Sequence, residues 1–383
     1  MLNSMFQGFV GLTYGLTFLV TDGLPNLIMI AVGCVLLYLA VRKGVEPLLL
    51  IPIGFGCLLT NMPLSDLMQE HGLLKFLYDV GIATEIFPLL IFIGIGAMTD
   101  FTPLLENPKI LLFGAAGQAG IFITLLLALA LGFKELESVC IGIIGACDGP
   151  TAIYVTSLYA PQLLGPVSVA AYSYMSLVPI IQPPIMRLMT TRKERLVRMP
   201  QPVHSTVSAR TRLLFPVVVT FITALIAPKG LALMGTIMLG NFMKESGVVS
   251  RLTGASENEI ANIVTLFLGL AIGGTMNGHV FLQPTTLAIF VLGFAAICFD
   301  TVAGLILGKI MCFISGGKIN PLIGAAGISA YPMAARVVQV QGQKYDKRNY
   351  LLMHAMGANT GGQIGSVMAA AVMLSVLKGM GLI

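Results

Sequence analysis

The stretch Gly142-Ile143-Ile144-Gly145-Ala146-Cys147-Asp148-Gly149-Pro150-Thr151-Ala152-Ile153-Tyr154 lies inside an apolar run long enough to enter a membrane, and it places a carboxylate in the middle of that run. Gly149 and Pro150 follow at once; glycine permits non-helical backbone, and proline removes an amide donor and breaks a helix. Non-helical backbone at membrane depth survives only where protein or a water-filled cavity covers it. An ionisable residue at that depth is costly and marks a functional site by default. Asp148 has a second reading, as the cap of the half-helix that begins at Pro150. Asn or Ser would cap without carrying a charge into lipid, so the charge calls for a purpose; the two roles are compatible.

The 383-residue chain is 56% hydrophobic and 10% charged, with 43 Gly and no Trp. A soluble domain carries about 25% charged residues, so this composition describes an all-α polytopic membrane protein. The net charge of +5 does not indicate nucleic acid, because the basic residues mark the cytoplasmic side of the membrane. Cys34, Cys57, Cys140, Cys147, Cys298 and Cys312 all lie in apolar segments and form no CxxC pair, which suits small buried hydrophobes. The four histidines have no metal-ligand spacing, and no GxxxxGK[ST] loop is present to hydrolyse ATP. Residues 5–20 are moderately apolar and are expected in or on the membrane. No basic n-region precedes them, so no cleaved signal peptide is expected.

The two halves of the chain resemble each other. Phe92–Met98 (FIGIGAM) matches Leu270–Met276 (LAIGGTM), and the same offset of 178 residues carries Gly149–Ala152 (GPTA) onto Gly327–Ala330 (GISA). Interrupted segments at corresponding places in two halves are the best sequence pointer to a transporter's site. The reading divides the chain into a first membrane repeat at 1–189, a basic cytoplasmic loop at 190–212 and a second repeat at 213–383.

Charge tests the topology. With Arg42, Lys43 and the Arg187–Arg212 stretch inside, a full crossing by Ser138–Tyr159 would put Arg192, Lys193, Arg195 and Arg198 outside, against the positive-inside rule. A segment that dips in and returns removes the conflict, as it does for Asn320–Val340. Only Lys75, Lys134, Lys229 and Lys378 then lie outside. The two repeats become inverted, and their interrupted segments meet near the midplane. A broken but spanning helix is the alternative.

The second interrupted segment, Gly316–Arg336, offers oxygens from Asn320 and Ser329, close-approaching carbonyls at Gly324 and Gly327, and a fixed positive charge at Arg336. With Asp148 this set suits a hard monovalent cation and contains no soft ligand. Ser329 as a back-bonded helix hydroxyl and Arg336 as a snorkelling anchor are the plainer readings. Tyr172 and Tyr174 lie beside the first interruption and either donate to the site or pack. Asn359 lies in a polar, Gly-rich patch, Met356–Gly362, within the last apolar run. Pro179, Pro183 and Pro184 are expected to kink a helix.

At Gly145–Tyr154, Val169–Met186, Gly317–Gln339 and His354–Ser366 the chain resembles the β subunit of the biotin-dependent, sodium-pumping decarboxylases, a family that includes the oxaloacetate, methylmalonyl-CoA, glutaconyl-CoA and malonate systems. The resemblance covers nearly the whole chain. It implies a multi-pass subunit of the cytoplasmic membrane that removes CO2 from carboxybiotin and exports Na+. The family's Na+-liganding and proton-handling positions carry over onto Asp148, Tyr174, Asn320, Gly324, Ser329 and Arg336, and also onto Asn359. Of these, Asp148, Tyr174, Ser329 and Arg336 are the catalytic candidates; Asp148, Asn320, Gly324, Ser329 and Asn359 are the Na+ candidates. The chain lacks a biotin-attachment Met-Lys-Met, so biotin would arrive on a partner. The implied partners are a carboxyltransferase that selects the acyl substrate, a biotin carrier and a small membrane subunit, with membrane lipid around a homo-oligomer. From the residues alone the competing function is a stand-alone secondary transporter, a Na+/H+ antiporter or Na+-coupled solute carrier. The topology predicts that single cysteines placed at Thr191 and Ser205 react only with reagents applied from the cytoplasmic side; labelling from outside would overturn the re-entrant reading.

Overall fold

The computed structural model describes residues 23–44, 47–63, 65–200, 207–379 and 381. The expectations for residues 5–20 and the labelling position Ser205 lie outside the described residues. All regular structure among the described residues is helical. Six described helices are long and apolar enough to cross a membrane, and two further pairs pass the same test as bent spans. Apolar side chains such as Val217, Val218, Phe221 and Leu225 stand exposed along one of them, as lipid contact requires.

In the first half, α1 (Leu24–Lys43) and α2 (Pro47–Asn61) form an antiparallel pair. The short α3 (Leu73–Leu77) runs through a π-helical turn, Tyr78–Ile82, towards α4 (Ile86–Met98). After α5 (Thr102–Glu106) a span breaks at Gly117-Gln118 into α6 (Leu111–Ala116) and α7 (Ala119–Ala130). α8 (Glu135–Gly142) and α9 (Gly149–Tyr159) flank the first interruption, and α10 (Leu164–Met189) closes the half. The chain bends by 61° between Met175 and Leu177. Pro179 lies four residues beyond Met175, and its ring clashes with the carbonyl at that position in a straight helix, so the expected kink is present.

A capped turn, α11 (Arg192–Arg195), leads to the second half: α12 (Ala209–Ile226), α13 (Leu231–Ser246), α14 (Ser250–Ala255) and, beyond a π-helical turn at Ser256–Ile260, α15 (Ala261–Thr275). Then come α16 (Gly278–Phe281), the long α17 (Pro284–Ile314), the second interruption, α18 (Met333–Tyr345) and α19 (Leu352–Gly379).

The element order recurs at the offset seen in the sequence. The π-helical turns Tyr78–Ile82 and Ser256–Ile260 are 178 residues apart, each between a short helix and an apolar span. The packing is reciprocal: α2 lies along α15, and its counterpart α13 lies along α4. Asn61 donates from Nδ2 to Met276 O (2.7 Å) at the end of α15, and Asn241 donates from Nδ2 to Thr99 O (3.3 Å) just past the end of α4.

Both crossings are close because glycines make them. A methyl on Gly56 would lie 2.4 Å from Leu270 O, and one on Gly96 only 1.9 Å from Ile237 O. Small residues let membrane helices approach to backbone contact. Gly96→Ala should therefore force α4 and α13 apart and cost about 1–3 kcal/mol. Gly235 also lies on α13, but nothing stands within 4 Å of its missing methyl, so Gly235→Ala should not lower stability and can raise it through helix propensity. Thermal unfolding of the detergent-solubilised protein reads the difference, and equal effects would remove the crossing argument.

Candidate functional site

The first interruption is a 3-10 turn, Ile143–Ala146, followed by Cys147 in the left-handed region (φ 53°) and Asp148 in extended backbone (φ −130°, ψ 97°). Asp148 stands at the N-cap position of α9, with Pro150 in the first turn, but its side chain makes no capping hydrogen bond. The second interruption begins after Gly316 and Gly317, both at positive φ, continues as a 3-10 run at Pro321–Gly327, and passes through the cis Tyr331-Pro332 bond into α18. Residues 138–156 and 320–330 are buried throughout. Irregular backbone at membrane depth is thus covered by protein, as the absence of water there demands.

The two interruptions touch. Ser329 N donates to Ala146 O at 3.3 Å, a direct bond between segments more than 180 residues apart in the chain. Ser329 donates from Oγ to Gly362 O (2.7 Å), and Asn359 from Nδ2 to Ile328 O (2.6 Å). Asn359 Oδ1 is buried and finds no hydrogen-bond partner among the described residues. The Gly-rich patch of α19 therefore serves the second interruption directly.

Asp148 collects side-chain donors on Oδ2: Thr151 Oγ1 at 2.7 Å, Gln363 Nε2 at 3.3 Å and Ser366 Oγ at 3.3 Å. None of the ion pairs among the described residues includes it. Gln363 and Ser366 were not foreseen from the sequence, although they close the His354–Ser366 stretch. Asp148, Ser329, Arg336 and Gln363 line one cavity of about 580 Å³, together with Tyr172 and Tyr331. That volume falls within the roughly 300–1,000 Å³ of small-molecule sites. Arg336 is exposed, and no ion pair among the described residues takes its charge.

Tyr172 lies against Gly149; a methyl on that glycine would be 2.2 Å from the Tyr172 ring. Tyr174 turns away from the cavity, donates to Phe290 O (2.6 Å) and packs between Phe290 and Phe294. Gly324 lies at backbone contact with Gly304 of α17, where its missing side chain would meet Gly304 O at 2.0 Å. Asn320 caps the 3-10 run by accepting from Leu322 N (3.0 Å). Its amide donates outward to Arg195 O (3.2 Å) and Val197 O (2.8 Å). Asp148, Ser329 and Arg336 are thus brought to one cavity with Asn359 behind it, whereas Tyr174, Asn320 and Gly324 stand apart from it.

The connecting stretch after α10 is clamped onto the second half. Asn349 donates to the same two carbonyls as Asn320 (3.2 and 3.1 Å), Arg195 stacks on Tyr345 at 4.6 Å, Arg198 pairs with Asp346, and His354 Nε2 hydrogen-bonds Pro200 O (2.9 Å). The Arg198 guanidinium holds the Asp346 carboxyl below its ordinary range.

Comparison with known proteins gives a family. Residues 25–377 match the family model described as Na+-transporting oxaloacetate decarboxylase beta subunit. The chain is 50% identical to the glutaconyl-CoA decarboxylase subunit beta of Acidaminococcus fermentans over 99% of this chain and 98% of the relative. It is 49% identical to the methylmalonyl-CoA decarboxylase subunit beta of Propionigenium modestum over 96% of each. It is 45% identical to the oxaloacetate decarboxylase beta chain of Klebsiella pneumoniae over 99% of each.

The clamp yields a prediction. Asn320→Ala removes two donors, each worth about 0.5–1.5 kcal/mol net, so amide exchange across Arg195–Pro200 should quicken on the order of tenfold. Asn349→Ala, which loses the same two carbonyls, should act alike. Hydrogen-exchange mass spectrometry checks this; unchanged exchange in both variants would show that these amides do not hold the stretch.

Proposed function

This chain belongs to the family of Na+-transporting oxaloacetate decarboxylase β subunits, and from that premise we propose that it removes CO2 from carboxybiotin and couples this to Na+ export across the cytoplasmic membrane. One observation carries the reading most directly. Two interrupted segments are joined by the Ser329 N–Ala146 O bond at the wall of a cavity that holds both an unpaired carboxylate, Asp148, and an exposed guanidinium, Arg336. A decarboxylating pump needs an anion-binding charge and a cation-binding carboxylate within one compartment. The family membership favours this function over the stand-alone secondary transporter.

In this reading the carboxylate of carboxybiotin meets Arg336 at the exposed part of the cavity, with Tyr172 and Tyr331 against the biotin rings. Asp148 holds a proton until Na+ arrives. A cation beside a carboxylate favours its ionised form, so Na+ displaces the proton. The bond between the biotin nitrogen and the carboxyl carbon breaks, CO2 leaves, and the nitrogen takes up a proton. Asp148, Ser329 Oγ and Asn359 Oδ1 supply the Na+ oxygens, while Asn320 and Gly324 shape and anchor the backbone that carries Ser329. Tyr174 positions α10 against α17. The acyl substrate is chosen by a partner carboxyltransferase; a biotin carrier, a small membrane subunit and a second copy of this chain complete the assembly. The halves 1–189 and 213–383 are inverted membrane repeats, and the basic loop 190–212 faces the cytoplasm and receives the carrier.

Asp148→Asn should abolish Na+ transport and Na+-dependent decarboxylation while the complex still assembles; near-normal pumping would remove Asp148 from the site. Ser329→Ala deletes one oxygen without deleting charge. A lost bond to a charged group is worth about 1.5–3 kcal/mol, or roughly ten- to a hundredfold in affinity. The Na+ concentration for half-maximal decarboxylation should rise by that factor, and an unchanged curve would exclude Ser329.

A further inference from the structure

The span Pro108–Ala130 breaks at Gly117-Gln118, whereas its counterpart at the 178-residue offset lies inside the unbroken α17. The two cross each other closely; a methyl on Gly120 would lie 2.3 Å from Ala296 O. The break frees backbone N–H groups at the start of α7, as every helix start does. The Asp300 carboxylate of α17 accepts from them at Gly120 and Ile121. Pro108 is the only proline of the span, so the break is held from outside, by the cap that α17 supplies.

What the break achieves is the placement of Gln118. This residue is 3% exposed. Its Nε2 stands 3.2 Å from Gly114 O, 3.3 Å from Gly327 O and 3.3 Å from Gly362 O. Those carbonyls belong to three different elements: α6, the second interruption and α19. Two N–H hydrogens serve three acceptors, and each contact lies at the long end of the hydrogen-bond range. Gln118 Oε1 finds no hydrogen-bond partner among the described residues, so its polar contacts to these elements are made through the nitrogen. The three elements otherwise meet through glycine. A methyl on Gly114 would lie 2.2 Å from the Gly361 carbonyl carbon, one on Gly117 2.3 Å from Gly327 O, and one on Gly362 2.4 Å from Gly327 O. Glycine lets backbones approach this closely, but it has no side chain to set the register of one backbone on another. The Gln118 amide supplies that register.

Both ends of the bridge lead to site residues. Gly362 O also accepts from Ser329 Oγ (2.7 Å), and Gly327 is two residues from Ser329. Gly362 is three residues from Asn359, whose Nδ2 donates to Ile328 O (2.6 Å). Gln118 itself does not line the cavity that Asp148 and Arg336 share. We propose that Gln118 is a positioning residue of the Na+ site: its amide sets the second interruption against α19 and so fixes Ser329 Oγ relative to Asn359 Oδ1. This rests on the proposed function, in which those two oxygens are ligands.

The test is the Na+ dependence of decarboxylation by the purified complex. Gln118→Met keeps the length of the side chain and removes the donor. The Na+ concentration for half-maximal rate should rise roughly two- to tenfold, the worth of one buried hydrogen bond, while the rate at saturating Na+ changes little. A residue that only holds the fold would instead lower the yield of assembled complex and leave the half-activation concentration of what assembles unchanged; that result would overturn the proposal. The double variant with Ser329→Ala should shift the curve no further than the larger single shift, because residues acting on one contact are non-additive. Shifts that multiply would place Gln118 outside the site and sink the inference. A shift in Ser329→Ala with none in Gln118→Met removes Gln118 and leaves the proposed function standing. An unchanged curve in Ser329→Ala removes the ligand set itself, and both readings fall. Should Gln118→Met fail to assemble, Gln118→Asn retains the amide one methylene short of the three carbonyls. The same rise is expected there, and an unchanged half-activation concentration would count against the proposal just as decisively.

Discussion

One backbone hydrogen bond, from Ser329 N to Ala146 O, ties together the two interrupted segments. Backbone that leaves the helical ladder inside a membrane must find partners within the protein, because lipid offers none. Each interruption here solves part of that problem for the other. Gln118, Asn359 and Ser329 solve the rest by spending side-chain donors on carbonyls at Gly327, Ile328 and Gly362. Such a junction is costly to build and cannot be replaced piecemeal. Its elements therefore come from both halves, and α17 and α19 pack around it.

The reciprocal packing of α2 on α15 and α13 on α4 makes a scaffold that holds this junction from outside. Its glycine crossings are close enough to transmit a displacement without slack, since neither backbone can yield to a side chain that is not there. The scaffold contributes few polar atoms of its own. Its Asn61 and Asn241 amides are spent on the ends of α15 and just past α4, which leaves the site chemistry to the interrupted segments and α19.

Much of this was legible in the sequence. The Gly-Pro beside Asp148 and the Gly-rich run around Ser329 are irregular in ways that helix chemistry reports, so both interruptions could be placed, and the 178-residue offset recurs in the spacing of the two π-helical turns. What stayed hidden depends on facing. Tyr172 and Tyr174 are two residues apart on a helix, about 200° in azimuth, so only one could reach the cavity; the sequence does not say which. Asn320 has the right chemistry for a cation, but its amide points to carbonyls of the connecting stretch. Gln363 and Ser366 are three apart on α19 and share a face, a spacing that became meaningful only once Asp148 was opposite. Asp300 sits in the run Ile297-Cys298-Phe299-Asp300-Thr301 with no glycine or proline next to it. A lone carboxylate in an unbroken apolar helix gives no sign that it caps a broken one beside it.

The distribution of charge suggests why a pump of this kind uses two broken segments rather than one. Arg336 and Ser329 are seven residues apart on the second segment, so a carboxylate drawn to the guanidinium pulls on the backbone that carries the hydroxyl. Ser329 is bonded through its amide to Ala146, and Ala146 is two residues from Asp148. Arg336 is therefore linked to Asp148 through covalent bonds and a single hydrogen bond. The first segment is a short 3-10 turn with a left-handed residue at its end, and it has no helical ladder to resist a small rotation. Under the proposed function, anion binding on one segment and cation binding on the other are two loads on one joint, and each can bias the other only to the extent that it favours one position of that joint.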